Sequence, residues 1–310
     1  MSNIVNELHS TVMDNRDSLA VDAEQELTFS GLWSLTDRFA GGLRAHDINK
    51  GESVGICLTD PTDLLVAVYG TLRNGCVPVV FPPDLFDSGV AEGLDEVNAP
   101  ALILDERSPV SMISLSSSMR FIVTVDMDSY FGMTHEEFLD NSGINSSGSR
   151  TGLELIERTQ DDTALIAYGK RDGEVANRRY SHGDVREAAD VGSDLVAGDV
   201  DRHLGCLQPF RPMGLMYEAS ATILDGGCYA PLSDWNPEQV ATNFLDSGQD
   251  RAYVTPQQCV DLREEGVDPT QQSLAVLHPV FSPIRSEDGA ETLLDGMPEV
   301  HPSPPTERTT

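Results

Sequence analysis

Few residues combine a reactive type with a spacing that could do chemistry. His135-Glu136-Glu137 starts like a zinc-protease helix, but the second His that such a site needs is missing. There is no nucleophile elbow, so a hydrolase triad has no starting point. Neither G-x-x-x-x-G-K-[ST] nor G-x-G-x-x-G is present. Asp60-Pro61-Thr62-Asp63 reads as a helix start rather than a metal site, and Ser181-His182 reads the same way, with Ser181 as N-cap. The cysteines, Cys57, Cys76, Cys206, Cys228 and Cys259, are odd in number and none lies within metal-ligand spacing of another. Most sit in apolar runs such as Gly55-Ile56-Cys57-Leu58, so buried free thiols are expected. These residues assign no catalytic residue and no metal site.

Charge narrows the functional classes. The chain has 310 residues, with 51 Asp+Glu against 20 Lys+Arg and a formal charge of −31. It offers no basic stripe to neutralise nucleic-acid phosphates, and an anionic lipid surface would repel it. No apolar run approaches the ~20 residues a bilayer span needs. Met1-Ser2-Asn3-Ile4 has neither the basic region nor the apolar core of a signal peptide. A soluble, cytoplasmic protein is expected. Lys50 and Lys170 are the only lysines. An acidic, lysine-poor surface suits concentrated salt, where the Debye length falls to ~3 Å at 1 M. The expected setting is a salt-adapted organism; an ordinary acidic protein is the alternative.

The elements that would position any site alternate. Leu32, Leu35, Phe39 and Leu43 recur at helical spacing, and Ser53–Leu58 is a short apolar strand. A helix runs from Asp60-Pro61 to Asn74-Gly75, followed by a strand over Val77–Phe81 that Pro82-Pro83 ends. A helix over Ser88–Val97 and strands at Ala101–Leu104 and Phe121–Val125 come next. Asn141–Gly152, rich in Ser, Gly and Asn, reads as a linker. Strands are then predicted at Thr163–Tyr168, His203–Gln208, Cys228–Pro231, Ala252–Thr255 and Ser273–Leu277. Helices are predicted from Ser181, over Gly214–Leu224, over Pro237–Leu245 and over Pro256–Glu264. Strand–helix–strand alternation implies crossovers and a mainly parallel α/β sheet covered on both faces.

The segment order resembles the AMP-forming acyl-CoA synthetases of the adenylate-forming superfamily. Leu27-Thr28-Phe29-Ser30-Gly31-Leu32, Lys50-Gly51-Glu52-Ser53-Val54-Gly55-Ile56 and Asn74-Gly75-Cys76-Val77-Pro78-Val79 are similar to the family's opening motifs, and Asp161–Tyr168 to its strand before the phosphate loop. The resemblance covers roughly residues 25–285. It implies the large N-terminal domain of such an enzyme: two packed αβαβα-type subdomains with mainly parallel sheets, over 1–150 and 151–298, and a disordered tail at 299–310.

The same resemblance implies a phosphate loop at Tyr168, Gly169, Lys170, Arg171 and Gly173, with Ser282 on the adenine side. Glycines there would let backbone N–H groups close around phosphate, and a lysine would add charge. Arg211, Met213 and Gly214 fall on the acyl side, Arg211 replacing the family's His. The departures are specific. The loop is one residue short, Val175, Ala176 and Asn177 stand where the family has Pro, Lys and Gly, and Asp172 and Glu174 add negative charge. Val280-Phe281 replaces two adenine-side glycines. Asp295-Gly296-Met297-Pro298-Glu299 is only faintly similar to the magnesium-binding Y-G-x-T-E, and the family's C-terminal catalytic lysine has no counterpart. The expectation is a diverged, truncated homologue, impaired in catalysis and needing no cofactor. It would bind an acyl or CoA-like ligand, or act as a partner of a complete synthetase. The alternative is active acid adenylation with ATP, Mg²⁺ and CoA and a separate C-terminal domain.

Overall fold

The structure is a computed structural model that describes residues 3–85, 87–106, 118–127, 132–140, 155–171, 174–195, 202–232, 234–247, 251–268, 273–277 and 299–300. In chain order its elements begin with α1 (Ile4–Asp14), β1 (Leu19–Val21), β2 (Leu27–Thr28), α2 (Phe29–Ala45), β3 (Ser53–Cys57), α3 (Pro61–Arg73) and β4 (Val77–Val80). Next come α4 (Asp87–Glu96), β5 (Ala101–Asp105), β6 (Phe121–Val125), β7 (Met133–Thr134), α5 (His135–Asp140), β8 (Thr163–Arg171) and β9 (Glu174–Ser181). Then follow α6 (His182–Leu195), β10 (Arg202–Gly205), a π-helical segment (Met213–Ser220) continuing into α7 (Ala221–Leu224), and β11 (Cys228–Pro231). The last are α8 (Pro237–Ser247), β12 (Arg251–Val254), α9 (Pro256–Glu264), β13 (Ser273–Leu277) and β14 (Glu299–Val300).

Two compact units form, Met1–Arg16 with Thr28–Val185, and Asp17–Leu27 with Arg186–Thr310. In the first, the sheet order is β7-β6-β5-β3-β4-β8-β9. Its pairs are parallel except β8–β9. Pro78 is tolerated inside β4 because pairing with β8 is recorded only beyond it, at Val79↔Ile166 and Val80↔Ala167. Helix α3 starts as read: Asp60 Oδ1 accepts from the N–H groups of Thr62 (2.8 Å) and Asp63 (2.9 Å), and Pro61 fills the first turn. The chain leaves α3 through Gly75 at φ +70, a left-handed conformation that glycine adopts without a steric penalty. One core cluster joins Val77, Val79, Phe81, Leu94, Leu102, Leu104, Ile166 and Tyr168.

In the second unit the order is β14-β13-β12-β10-β11-β1-β2. Strand β1 adds in parallel to β11 at Val21↔Tyr229, so a stretch of chain from before residue 28 belongs to this sheet. Leu204, Val240, Phe244, Ala252, Val254, Leu262 and Val276 form its core with their neighbours.

Several expectations are corrected. The units divide between Val185 and Arg186, not near 150, because β8 pairs with β4 and carries β9 with it. The linker predicted over Asn141–Gly152 lies outside the described residues. Residues 174–181, read as loop, form β9. The helix predicted over Gly214–Leu224 is a π-helical segment for most of its length. Glu299–Val300, assigned to the tail, pairs as β14 with β13; the rest of that tail lies outside the described residues. α1, β1, β2, β7 and α5 had no counterpart in the sequence reading.

Candidate functional site

The phosphate-loop candidates lie in the first unit, on a β-hairpin. Tyr168, Gly169, Lys170 and Arg171 occupy β8 and pair with Asn177, Ala176, Val175 and Glu174 of β9. Gly173, in the connection between the strands, is outside the described residues, and so is the side chain of Arg171. Tyr168 is buried and stacks on Phe81 at 4.7 Å. Its hydroxyl donates to Glu96 Oε2 at 2.7 Å, and Asn177 Nδ2 lies 3.0 Å from each Glu96 oxygen. Burial, then the bond to Glu96, raises the Tyr168 phenol above its ordinary range. Lys170 Nζ donates to the carbonyl of Asp84 at 2.9 Å.

The described part of this hairpin gives a triphosphate no converging main-chain donors. Paired antiparallel strands direct N–H groups across the ladder rather than converging them on one anion. The Glu96 carboxylate already takes the polar tips of Tyr168 and Asn177. Among the described residues no cluster of three or more His, Cys, Asp or Glu could hold a metal ion. Ser282 and Val280-Phe281 are outside the described residues.

Below the hairpin, α6 begins with the cap read from sequence. The Asp184 N–H donates to Ser181 Oγ (3.1 Å), and the Ser181 N–H donates to Asp184 Oδ2 (2.7 Å). His182 is 2 % exposed, and among the described residues neither ring nitrogen has a hydrogen-bond partner. Burial, helped by Arg158 and opposed by Asp162, lowers its pKa to about 4. Gly51-Glu52-Ser53-Val54-Gly55 has the G-x-S-x-G spacing, but Ser53 opens β3 and does not turn from a strand into a helix.

The acyl-side candidates lie together in the second unit. Arg211 Nε donates to Gln208 Oε1 (3.2 Å), and the Arg211 N–H to the Gln208 carbonyl (3.0 Å). A Cβ on Gly214 would fall 2.3 Å from that same carbonyl oxygen, so only glycine lets the chain fold back here. Met213 packs with Leu207, Tyr253 and Ala275.

Beneath this turn is a pair that the sequence reading missed. Glu218, in the π-helical segment, is 0 % exposed. Its Oε1 accepts from the Cys206 N–H (3.1 Å) and lies 3.2 Å from His203 Nε2, while Oε2 accepts from the Leu207 N–H (3.0 Å). His203 lies against the Tyr253 ring, centroids 4.7 Å apart. Burial raises the Glu218 pKa well above the carboxylate range, against the pull of the backbone donors. It lowers that of His203 to about 3, with help from Arg251. The signal was one glutamate in the apolar run Met213–Leu224.

A model of the family described as AMP-binding enzyme matches residues 8–274. The chain is 23 % identical over 223 residues to the olefin beta-lactone synthetase of Xanthomonas campestris pv. campestris, covering 70 % of this chain and 37 % of that protein. It is 40 % identical over 57 residues to the 3-hydroxybenzoate–CoA/4-hydroxybenzoate–CoA ligase of Thauera aromatica, covering 18 % and 11 %. In fold it is similar to an anthranilate CoA ligase bound to anthranoyl-AMP, with TM-score 0.75 and 17 % identity over 89 % of this chain and 55 % of that one. The alignments therefore span about half or less of these relatives' lengths.

Proposed function

This chain belongs to the AMP-binding enzyme family, and on that premise we propose that it binds an acyl or CoA-thioester ligand without adenylating it. The observation that carries this reading is Glu96, a carboxylate bonded to Tyr168 and Asn177 on the segment that resembles the phosphate loop. A triphosphate brought there would meet negative charge at short range, where repulsion is strongest. The acyl-side segment supports the binding half of the proposal. Its turn closes tightly at Gly214, Met213 offers apolar surface, and Arg211 offers a cation suited to a carboxylate. The acid-activating relatives support a ligand of carboxylate or acyl chemistry.

Isothermal titration in molar KCl tests it, with ATP–Mg²⁺ in one arm and benzoyl-CoA in the other. Saturable heat with benzoyl-CoA and none with ATP–Mg²⁺ up to millimolar is the expected result. Micromolar ATP binding that disappears in a Lys170→Ala/Arg171→Ala double variant would replace the proposal. The chain would then be an acid–thiol ligase using ATP, Mg²⁺ and CoA, with a separate domain or a complete synthetase as partner. The charge of −31 supports a salt-adapted setting; a melting temperature that rises from low to molar KCl would bear on that.

A further inference from the structure

Glu218 and His203 have no part in the function proposed above, yet they are the most enclosed charged-type groups beside the acyl-side turn. The partners of the Glu218 carboxylate come from two places: His203 in β10, and the Cys206 and Leu207 N–H groups just beyond it. Two successive main-chain N–H groups on one carboxylate fix the direction in which the chain leaves β10. The same chain then closes on itself at Gly214, against the Gln208 carbonyl. The stretch 206–214 is thus held at its start by Glu218 and at its end by a contact that only glycine allows. The π-helical segment carries Glu218, and π turns are frequent at functional sites. A further support lies behind it: a Cβ on Gly192 of α6 would fall 2.2 Å from the Tyr217 carbonyl, so α6 backs this segment at close range.

We propose that Glu218 is a positioning residue: with His203 it latches the Cys206–Gly214 turn in the shape that presents Arg211 and Met213 to the acyl ligand. The inference rests on the ligand reading above for its last clause only. The charged and titratable groups around the latch are Arg251 and Tyr253 from β12, Cys206 beyond β10, and Asp225 and Asp194, both of which act on Tyr253.

The test uses the full chain and Glu218→Gln, which keeps the shape but turns one acceptor into a donor. Amide hydrogen exchange should quicken about tenfold at Cys206 and Leu207, the scale of a lost buried hydrogen bond, while β13 amides hold their rates. His203→Leu should produce the same local pattern more weakly. Unchanged exchange at Cys206 and Leu207 in both variants overturns the latch, as does a uniform rise through the whole sheet. In the second arm, benzoyl-CoA should bind Glu218→Gln about tenfold more weakly than the parent chain. Full-strength binding despite faster exchange would overturn the link between turn and ligand. A parent chain that binds no benzoyl-CoA would refute the ligand reading instead, and the exchange arm would still decide the latch.

Discussion

In the first unit, Glu96 reaches the hairpin from α4 and takes two side-chain donors, Tyr168 and Asn177. In the second, Glu218 is fully enclosed and takes mainly main-chain donors. Side-chain donors can rotate away and find water, so the Glu96 cluster adjusts to change. Backbone donors cannot leave without moving the chain, so the Glu218 cluster is rigid and costly to disturb. The histidines divide the same way: His203 has a carboxylate beside it, whereas His182 is buried without a hydrogen-bond partner among the described residues.

Substitutions can break or sharpen this contrast. The largest loss is expected for Glu218→Ala, about 3–5 kcal/mol in urea unfolding, because two backbone donors and His203 lose their partner together. A Glu218→Leu/His203→Val pair should recover only the part due to His203, because the Cys206 and Leu207 N–H groups stay without that acceptor; full recovery would show that the main-chain donors contribute little. Next is a pH effect in the first unit. With a folded-state pKa of about 4 against an ordinary 6.5, His182 is neutral in the folded chain while the unfolded chain protonates. Stability should therefore be intact above pH 6.5 and fall by roughly 3 kcal/mol towards pH 4. His182→Phe should flatten that part of the curve. Asp63, raised to about 7 by burial and by Asp60, Asp126 and Asp105, acts with the opposite sign over the same window. Its folded form gains relative stability as pH falls from 7 towards 4, so Asp63→Asn should steepen the acid loss.

Gly214→Ala should cost about 2–3 kcal/mol and weaken benzoyl-CoA binding with it, since its Cβ meets a backbone oxygen. Glu96→Ala should cost only about 1–2 kcal/mol, because the Tyr168 hydroxyl keeps the Gly93 carbonyl as acceptor and the Asn177 amide can turn to water. The same variant sharpens the functional contrast: ATP–Mg²⁺ binding that appears only in Glu96→Ala would show that this carboxylate alone excludes the nucleotide. The smallest effect, about 1 kcal/mol in thermal melts, is expected for the Ser181→Ala cap.

Most elements could be read from the sequence because their signals are local. Asp60-Pro61 and Asn74-Gly75 delimit α3 by capping chemistry, and Val77–Phe81 marks a buried strand by composition. The resemblance to adenylate-forming enzymes was legible for the same reason: short motifs in a fixed order. The hairpin was not, since Glu174, Arg178 and Arg179 give an edge strand the composition of a loop. The joint between units was also missed. Ser, Gly and Asn mark where a chain bends easily, but unit membership is decided by which strands pair, and Val79↔Ile166 ties β8 to the first sheet.

The candidate site divides along the same line. By itself the sequence determined the acidic charge, the α/β alternation, the helix caps and the departures from the phosphate-loop pattern, all of which depend on residues near one another in the chain. Only the tertiary structure decided that Glu96 meets Tyr168 across 72 positions and that Glu218 closes on Cys206, Leu207 and His203. Those contacts depend on burial and strand order, and a lone glutamate in a sequence carries no mark of which distant donors folding will bring to it.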